Sequence, residues 1–149
     1  MKTFSFDRSM GYLINRTALR VKLELQRAFK ENGYDLSAEH WAVLNCLWGN
    51  PGMSQTEIAA KIEKDKANLT RILDVMEKRG HIAREPHESD RRSYRIFPTP
   101  SAEGMKEDLT RIAMGVNQRA LQALDAGDRK DLMRILDTIL KNLQREQEQ

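Results

Sequence analysis

The apolar positions in the first part of the chain follow a helical period. Residues 8–31 contain no proline, and apolar side chains recur there at alternating spacings of four and three, at Ile14, Ala18, Val21, Leu25 and Ala28. This spacing predicts one long amphipathic helix with a seam like that of a coiled coil. The pair Asn32-Gly33, which tolerates left-handed backbone, predicts where the helix ends.

Three further helices are predicted before residue 80. Ser37 is a suitable N-cap for a helix from Ala38 to about Trp48, which the segment 49–52 (Gly-Asn-Pro-Gly) ends. The segment 54–57 has the Ser-x-x-Glu spacing of a capping box and predicts a short helix over 55–62. Asp65 is expected to cap the next helix, from residue 66 to about 79, whose apolar face carries Leu69, Ile72, Leu73 and Met76.

After Gly80 the pattern changes to that of strands. Residues 81–85 and 93–97 are each predicted to be a short strand, and the polar segment 86–92 between them predicts a hairpin with a charged tip. Thr99-Pro100 then predicts the cap and first residue of a new helix, whose seam is Met105, Leu109, Ile112, Val116 and Ala120. Residues 125–128 interrupt the pattern, and the last helix is predicted over 129–145, with Leu132, Ile135, Leu136, Ile139 and Leu143 on one side.

This order of elements predicts the fold class. It is mostly helical with a small β-hairpin wing (α+β), and it matches a winged helix-turn-helix head, residues 37–98, between helical segments 6–32 and 100–145. The length of 149 residues suits a single domain, 1–149. The wide apolar seams of the end helices bury more surface in a pair than alone, so we expect a homodimer. A monomer whose end helices wrap the head is the alternative.

Charge is concentrated where this head is predicted. The formal net charge is +3, and residues 61–95 contain ten basic and seven acidic side chains, whereas the flanking parts nearly balance. Localised positive charge is expected of a nucleic-acid contact. The second helix of the turn motif enters the major groove, and its surface positions are Lys66, Ala67, Asn68, Thr70 and Arg71. Asn can bond adenine, Arg guanine, and the methyl groups of Ala and Thr can touch thymine.

The predicted wing tip is a compact basic loop over residues 87–93. Asp90 could orient a neighbouring guanidinium, while that arginine reaches phosphates or a narrow minor groove. A polar helix face or a charged hairpin tip is, taken singly, ordinary solvated surface. The placement of both within one basic stretch favours binding of double-stranded DNA.

Four segments together resemble the MarR family of bacterial winged helix-turn-helix transcription factors, and the resemblance covers nearly the whole chain. They are Ser54-Gln55-Thr56-Glu57-Ile58-Ala59, Asp65-Lys66-Ala67-Asn68-Leu69-Thr70-Arg71-Ile72-Leu73, Glu77-Lys78-Arg79-Gly80 and Ser89-Asp90-Arg91-Arg92. The resemblance implies DNA contacts that also include Ser54, Gln55 and Arg91. It places Asn68, Thr70 and Arg71 near bases and Arg92 in the minor groove, with Asp90 as its positioning partner. One departure is the joint 97–104, which looks longer than the family's Leu-Thr-x-x-Gly.

The resemblance also implies a function, that of a transcriptional regulator, a repressor by the family's default. A homodimer held by its N- and C-terminal helices would read a pseudo-palindromic operator with half-sites about 10 base pairs apart. Relatives bind small aromatic or anionic effectors, and by analogy Tyr12, Arg16, His40 and Trp41 are predicted near such a pocket. An effector would act through different affinities for two spacings of the heads.

Other functions are less well supported. Cys46, between Leu44 and Leu47, is expected to be a buried thiol, and a redox-sensing regulator that acts through it is one alternative. A winged-helix interaction module that does not read DNA is another. The sequence has no Gly-rich phosphate loop or nucleophile elbow, so no enzyme is predicted, nor any cofactor or metal. With no apolar stretch of membrane-spanning length and no apolar leader, we expect a cytoplasmic protein without a membrane partner.

Overall fold

The computed structural model of the protein describes residues 3–89 and 93–147. The chain forms two compact units, residues 1–116 and 117–149. A short 3-10 helix (Phe6–Arg8) precedes α1 (Met10–Glu31), α2 (Ala38–Gly49), β1 (Met53–Ser54), α3 (Gln55–Lys61), α4 (Lys66–Lys78), β2 (Ile82–Pro86), β3 (Tyr94–Pro98), α5 (Pro100–Ala120) and α6 (Ala126–Gln147). The predicted fold class, mostly helical with a small wing, is confirmed.

The helices of the turn motif begin where the sequence predicts their caps. The side chains of Ser37, Ser54 and Asp65 each accept a hydrogen bond from the backbone N–H of the third helical residue, at 3.2, 3.2 and 2.8 Å. Each such bond satisfies one of the backbone donors that a helix start leaves without a partner. Local side-chain chemistry therefore fixes the starts of α2, α3 and α4.

The wing belongs to a three-stranded antiparallel sheet in the order β1-β3-β2. The predicted two-stranded hairpin is present, shifted by one residue in each strand, but β1 was not predicted. Met53 of β1 pairs with Ile96 of β3, which also pairs with Arg84 of β2. A strand of two residues is too short to show alternation in a sequence. Its pairing anchors the wing beside the start of α3.

The core of the first unit lies beneath the turn motif. The three residues Leu69, Leu73 and Met76 of α4 are fully buried, and Ile72 packs partly buried against the same cluster. Their fully buried neighbours from other elements include Phe29, Val43, Leu44, Leu47, Ile58, Ile96 and Leu109. Because α4 buries this face, its opposite face is left to solvent.

Thr99 joins the last strand to α5. Its hydroxyl donates to the carbonyl of Gly80 at 2.6 Å and accepts from the backbone N–H of Ala102 at 3.2 Å. Pro100 is the first residue of α5, as predicted, and needs no N–H partner there. The joint that departs from the family's pattern is therefore a regular helix cap.

Two predicted helix starts are wrong. α1 begins at Met10 rather than residue 8, because Ser9 caps it and a 3-10 turn precedes it. α6 begins at Ala126 rather than residue 129. Asp125 accepts from the backbone N–H of Asp128 at 2.8 Å, and Asp128 accepts from that of Asp125 at 3.2 Å. This reciprocal pair makes the predicted interruption a capping box.

The long helices leave much of their predicted seams exposed within their own units. In α1, Leu25 and Ala28 are buried, whereas Ile14 and Ala18 are exposed. In α6, Ile139 is half-buried, and its other seam residues, Leu132, Ile135, Leu136 and Leu143, are 38–53% exposed. Among the described residues, no helix is both long enough and apolar enough to cross a bilayer.

Candidate nucleic-acid interface

The candidate interface is built on the exposed face of α4. The predicted contact residues Lys66, Ala67, Asn68, Thr70 and Arg71 are all exposed. They follow directly from the N-cap, so they occupy the first two turns of the helix. This part of a recognition helix contacts base edges in helix-turn-helix proteins, and the side chains present a cation, a methyl, an amide, a hydroxyl and a guanidinium.

Three of the side chains at this end of α4 are joined by hydrogen bonds. Asn68 donates from Nδ2 to Oδ2 of Asp65 at 2.7 Å. The Oδ1 atom of Asn68 accepts a hydrogen bond from Nη2 of Arg71. The predicted base contacts Asn68 and Arg71 are therefore bonded to each other within α4.

Gln55 and Thr70 link the two helices of the turn motif. Gln55 donates from Nε2 to the Thr70 hydroxyl at 2.5 Å and to the Lys66 carbonyl at 3.3 Å, and the Thr70 hydroxyl donates to the same carbonyl at 2.8 Å. These bonds fix the start of α3 against the first turn of α4. Beside them is a cleft of about 190 Å³, lined by Ser54, Gln55, Thr56, Lys66, Ser93 and Tyr94. Tyr94 was not predicted, since only tertiary pairing brings β3 to this position, and Thr56 was not predicted as a contact although it follows Gln55 in α3.

Arg84 connects the wing to α4 and was also missed. Its side chain is 16% exposed and contacts Asp74 Oδ1 at 2.8 Å and Glu77 Oε1 at 3.2 Å. Asp74 and Glu77 are three residues apart on α4, so both carboxylates lie on one helix face. In the sequence the three residues look like ordinary surface charges, because nothing local pairs β2 with α4.

The wing hairpin is closed near its tip by the bond from the backbone N–H of His87 to the Ser93 carbonyl, at 3.0 Å. Asp90, Arg91 and Arg92, the predicted wing contacts, lie outside the described residues. A further arginine, Arg95, lies with its guanidinium carbon 5.6 Å from the Phe97 ring centroid. It lines a second cleft of about 290 Å³ with Asn50, Pro51, Gly52, Ser54, Glu57 and His87.

The four predicted effector residues form two clusters. Arg16 donates to the hydroxyl of Tyr12 at 3.1 Å on α1. On α2, Trp41 packs against the rings of Phe29 and Trp48, at 5.6 and 5.8 Å between centroids, and His40 follows Glu39.

The start of α2 meets α1 at the 3.8 Å ion pair between Lys22 and Glu39. Tyr12 lies ten residues before Lys22 in the same helix. At a rise of 1.5 Å per residue, that is about 15 Å along the axis. The two clusters are therefore separated within one chain.

Burial shifts the pKa of two groups on α2. It lowers the pKa of His40, with smaller contributions from the nearby charges of Arg79 and His81. It also raises the pKa of the Cys46 thiol, whose residue is only 4% exposed. Since the thiolate is the reactive form, Cys46 is an inaccessible and weakly reactive thiol.

Known proteins are similar to this chain in sequence. The model of the MarR family matches residues 36–94, from the approach to α2 to the start of β3. The uncharacterized HTH-type transcriptional regulator YybA of Bacillus subtilis strain 168 is 25% identical over 114 residues, 76% of each chain.

Solved structures extend the similarity to the long helices. The transcriptional repressor CouR, solved bound to a 23-mer DNA duplex, is 28% identical with a TM-score of 0.82, over 94% of this chain and 98% of CouR. BpsR of Bordetella bronchiseptica, whose DNA binding is regulated by 6-hydroxynicotinic acid, is 20% identical with a TM-score of 0.83, over 93% and 97% of the two chains. Residues 36–94 thus match the MarR family model, and the chain has the fold of MarR-family DNA-binding transcriptional regulators.

Proposed function

We propose that this regulator is a repressor that binds a pseudo-palindromic operator as a homodimer. The observation that carries the proposal is the exposed first half of α4, where Lys66, Asn68 and Arg71 stand on a helix whose other face is fixed in the core. Docked in a major groove, this face would present Arg71 to a guanine edge and Lys66 to the backbone. The wing residues Arg91 and Arg92 are proposed as minor-groove or phosphate contacts, with Asp90 as the positioning partner of Arg92.

The uncovered seams support the homodimer. An amphipathic helix such as α6 must bury its apolar face to be stable in water, yet Leu132, Ile135 and Leu136 are all more than a third exposed. A second copy of the chain would supply the matching face, and two-fold symmetry would give operator half-sites about one helical turn apart. We accordingly propose residues 6–32 and 100–145 as dimerisation helices and residues 37–98 as the reading head.

Light scattering tests the dimer directly. A mass of twice 17.2 kDa is expected, and Leu136→Glu should shift it toward one copy because a charge in an apolar interface is costly. Lys130→Glu is the control, since it makes a comparable change at an exposed polar position of α6. A native chain that stays at 17.2 kDa at micromolar concentration would contradict the dimer.

Sequence reading is tested by selecting bound fragments from random duplex DNA and titrating the selected duplex with salt. A pseudo-palindrome is expected, with affinity that falls steeply as salt rises. Arg71→Ala should relax discrimination at one base pair, at a cost of about 1–3 kcal/mol. Arg92→Ala should weaken binding to every duplex and reduce the salt slope by about one, and Lys106→Ala on α5 should change neither.

The selection also tests the interaction-module alternative. Recovery of no motif, together with weak binding throughout, would contradict DNA reading and favour the module. An equal loss for Arg71→Ala on all duplexes would limit Arg71 to a phosphate contact. Repression itself is tested with a reporter gene placed under the control of the selected operator. Expression of the reporter should rise when the regulator is deleted.

We also propose release by a small aromatic or anionic effector, as the regulation of BpsR suggests. Arg16 and Tyr12 provide a cation and a hydroxyl, and His40 and Trp41 provide a half-buried ring pair. Because Tyr12 lies about 15 Å, and Arg16 about 9 Å, along α1 from the ion pair that joins α1 to α2, we propose that the site is completed only in the dimer. Titration with hydroxybenzoates should quench Trp fluorescence and weaken operator binding, and Arg16→Ala should remove both effects. Release that persists in Arg16→Ala would contradict this assignment.

The redox alternative is not favoured. A redox sensor needs an accessible thiol of lowered pKa, whereas Cys46 is buried and its pKa is raised by burial. Cys46→Ser should therefore retain operator binding that peroxide does not change. If peroxide released the native protein from its operator but did not release Cys46→Ser, that result would favour the redox alternative.

A further inference from the structure

We infer that Asp65 sets the base specificity of Arg71 without touching DNA, by acting through Asn68. The inference rests on the proposed function, in which Arg71 reads a base. It assigns Asp65 a second role besides that of helix cap, as a positioning residue. Asn68, in turn, becomes the link between Asp65 and Arg71 rather than an independent reader.

The carboxylate of Asp65 uses both oxygens on one neighbour. Oδ1 accepts from the backbone N–H of Asn68 at 2.8 Å, which is the cap of α4, and Oδ2 accepts from the Asn68 side-chain Nδ2 at 2.7 Å. An ionised carboxylate can only accept hydrogen bonds, whereas an amide has one donating and one accepting end. Asp65 therefore selects which way the Asn68 amide is turned.

The orientation of that amide determines what Arg71 meets. With Nδ2 held by Asp65, the accepting Oδ1 of Asn68 points away from the cap, and it receives Nη2 of Arg71. Residues 68 and 71 are three apart on α4, the spacing that places side chains side by side on a helix. If the amide were turned over, it would offer a donor to a guanidinium that can only donate, and the contact would be lost.

Such a relay matters because an exposed arginine is otherwise flexible. Fixing a long side chain on binding costs conformational entropy, and a preorganised side chain has already lost that entropy in the free protein. The same preorganisation restricts the directions from which a base edge can be approached, so it favours one base over others. Asp65 also adds a negative charge at the start of the reading helix, which opposes binding to any phosphate backbone. Loss of Asp65 is expected to lower discrimination without lowering non-specific affinity.

The variant Asp65→Ser separates the two roles. Serine is about as good an N-cap as aspartate, but it has no second oxygen to hold the Asn68 amide. We expect a melting temperature close to that of the native protein and unchanged or tighter binding to random duplex. Discrimination at the base pair read by Arg71 should fall about three- to tenfold, the effect of freeing one long side chain. Asp65→Asn, which also keeps the cap but offers an NH₂ group to the amide, should behave in the same way.

The Arg71→Ala background provides the decisive control. Adding Asp65→Ser to Arg71→Ala should leave base discrimination unchanged, because the side chain that Asp65 positions is absent. A merely structural role predicts instead a loss on every duplex that follows the loss of stability. A native protein that selects a motif which Asp65→Ser reads unchanged would overturn this inference alone. A native protein that selects no motif would overturn the proposed function and the inference with it.

Discussion

The ion pairs of Arg84 predict that one substitution in the wing weakens both folding and DNA binding. Arg84 on β2 reaches Asp74 at 2.8 Å and Glu77 at 3.2 Å on α4. Only 16% of its side chain is exposed, whereas those of Asp74 and Glu77 are 53% and 45% exposed. Arg84→Met keeps much of the buried stem and removes the charge, so it isolates the two ionic contacts.

The magnitude follows from this exposure. A hydrogen bond to a charged group contributes about 1.5–3 kcal/mol, but contacts to solvated carboxylates are worth about 1 kcal/mol or less. Arg84 makes two contacts with solvated carboxylates and is itself largely buried, so its substitution should lower the free energy of unfolding by about 1–2 kcal/mol. For a chain of this length, each kcal/mol shifts Tm by about 2–4 °C, so Arg84→Met should lower Tm by about 2–8 °C.

Thermal unfolding, urea unfolding and operator binding are the three assays. Arg95→Met, on the neighbouring strand, is the matched control, since Arg95 is exposed and bonds only the Gly52 carbonyl, at 3.3 Å, among the partners described. Arg84→Met should also weaken operator binding more than Arg95→Met does, because it frees the wing from α4. In a double-mutant cycle with Asp74→Asn, the coupling should be about 0.5–1 kcal/mol. A coupling near zero, or equal stability losses in the two arginine variants, would refute this reasoning.

Three further predictions concern single positions. The pKa of His40 is lowered by burial and by Arg79, so the unfolded chain binds protons more readily than the folded chain. The stability present above about pH 6.5 should therefore fall as the pH drops below that value. His40→Gln, which keeps a capping-box side chain at this position, should reduce this pH dependence in urea titrations at pH 7.5 and 5.5. Gly52→Ala should lower the free energy of unfolding by about 1–2 kcal/mol, since the φ of +88° suits glycine and a Cβ would lie 2.6 Å from the Arg95 guanidinium. Gly104→Ala, with open space around it in α5, should raise the free energy of unfolding by about 0.5–1 kcal/mol. Equal changes for the two variants in calorimetry would contradict both predictions. Glu63→Gly should not lower the free energy of unfolding in urea and should raise it by up to about 1 kcal/mol, because Glu63 has a φ of 54° in the turn before α4; a loss would contradict a strained turn.

The parts of the fold that the sequence predicts are those determined by neighbouring residues. The caps at Ser37, Ser54 and Asp65 involve partners three residues away, and all three are present. The buried face of α4 follows from a period that one helix imposes on its own side chains. The predicted start of α6 is wrong for a related reason, since Asp125 and Asp128 also form a local box, but the glycine between them suggests a break.

The parts that the sequence does not predict depend on distant pairing. Met53 becomes part of a strand because Ile96 lies beside it, 43 positions later. Arg84 finds its carboxylates only once β2 has packed on α4. The exposed face of α4 was predicted as a set of separate base contacts, whereas the structure joins Asn68 to both Asp65 and Arg71. A list of polar residues on a helix does not reveal which of them bond to one another.

That difference affects how specificity in this protein should be understood. Lys66 and Arg71 can be identified from position and charge, but a guanidinium discriminates between bases only when its direction is restricted. In this chain, Asp65 and Asn68 supply the restriction within α4, and Gln55 and Thr70 hold the start of that helix against α3. Arg84 holds the wing against the far half of the same helix. The reading helix is thus fixed at both ends by side-chain contacts within the protein: loss of the Asp65 contacts should alter which sequences are bound, whereas loss of the Arg84 contacts should weaken binding itself.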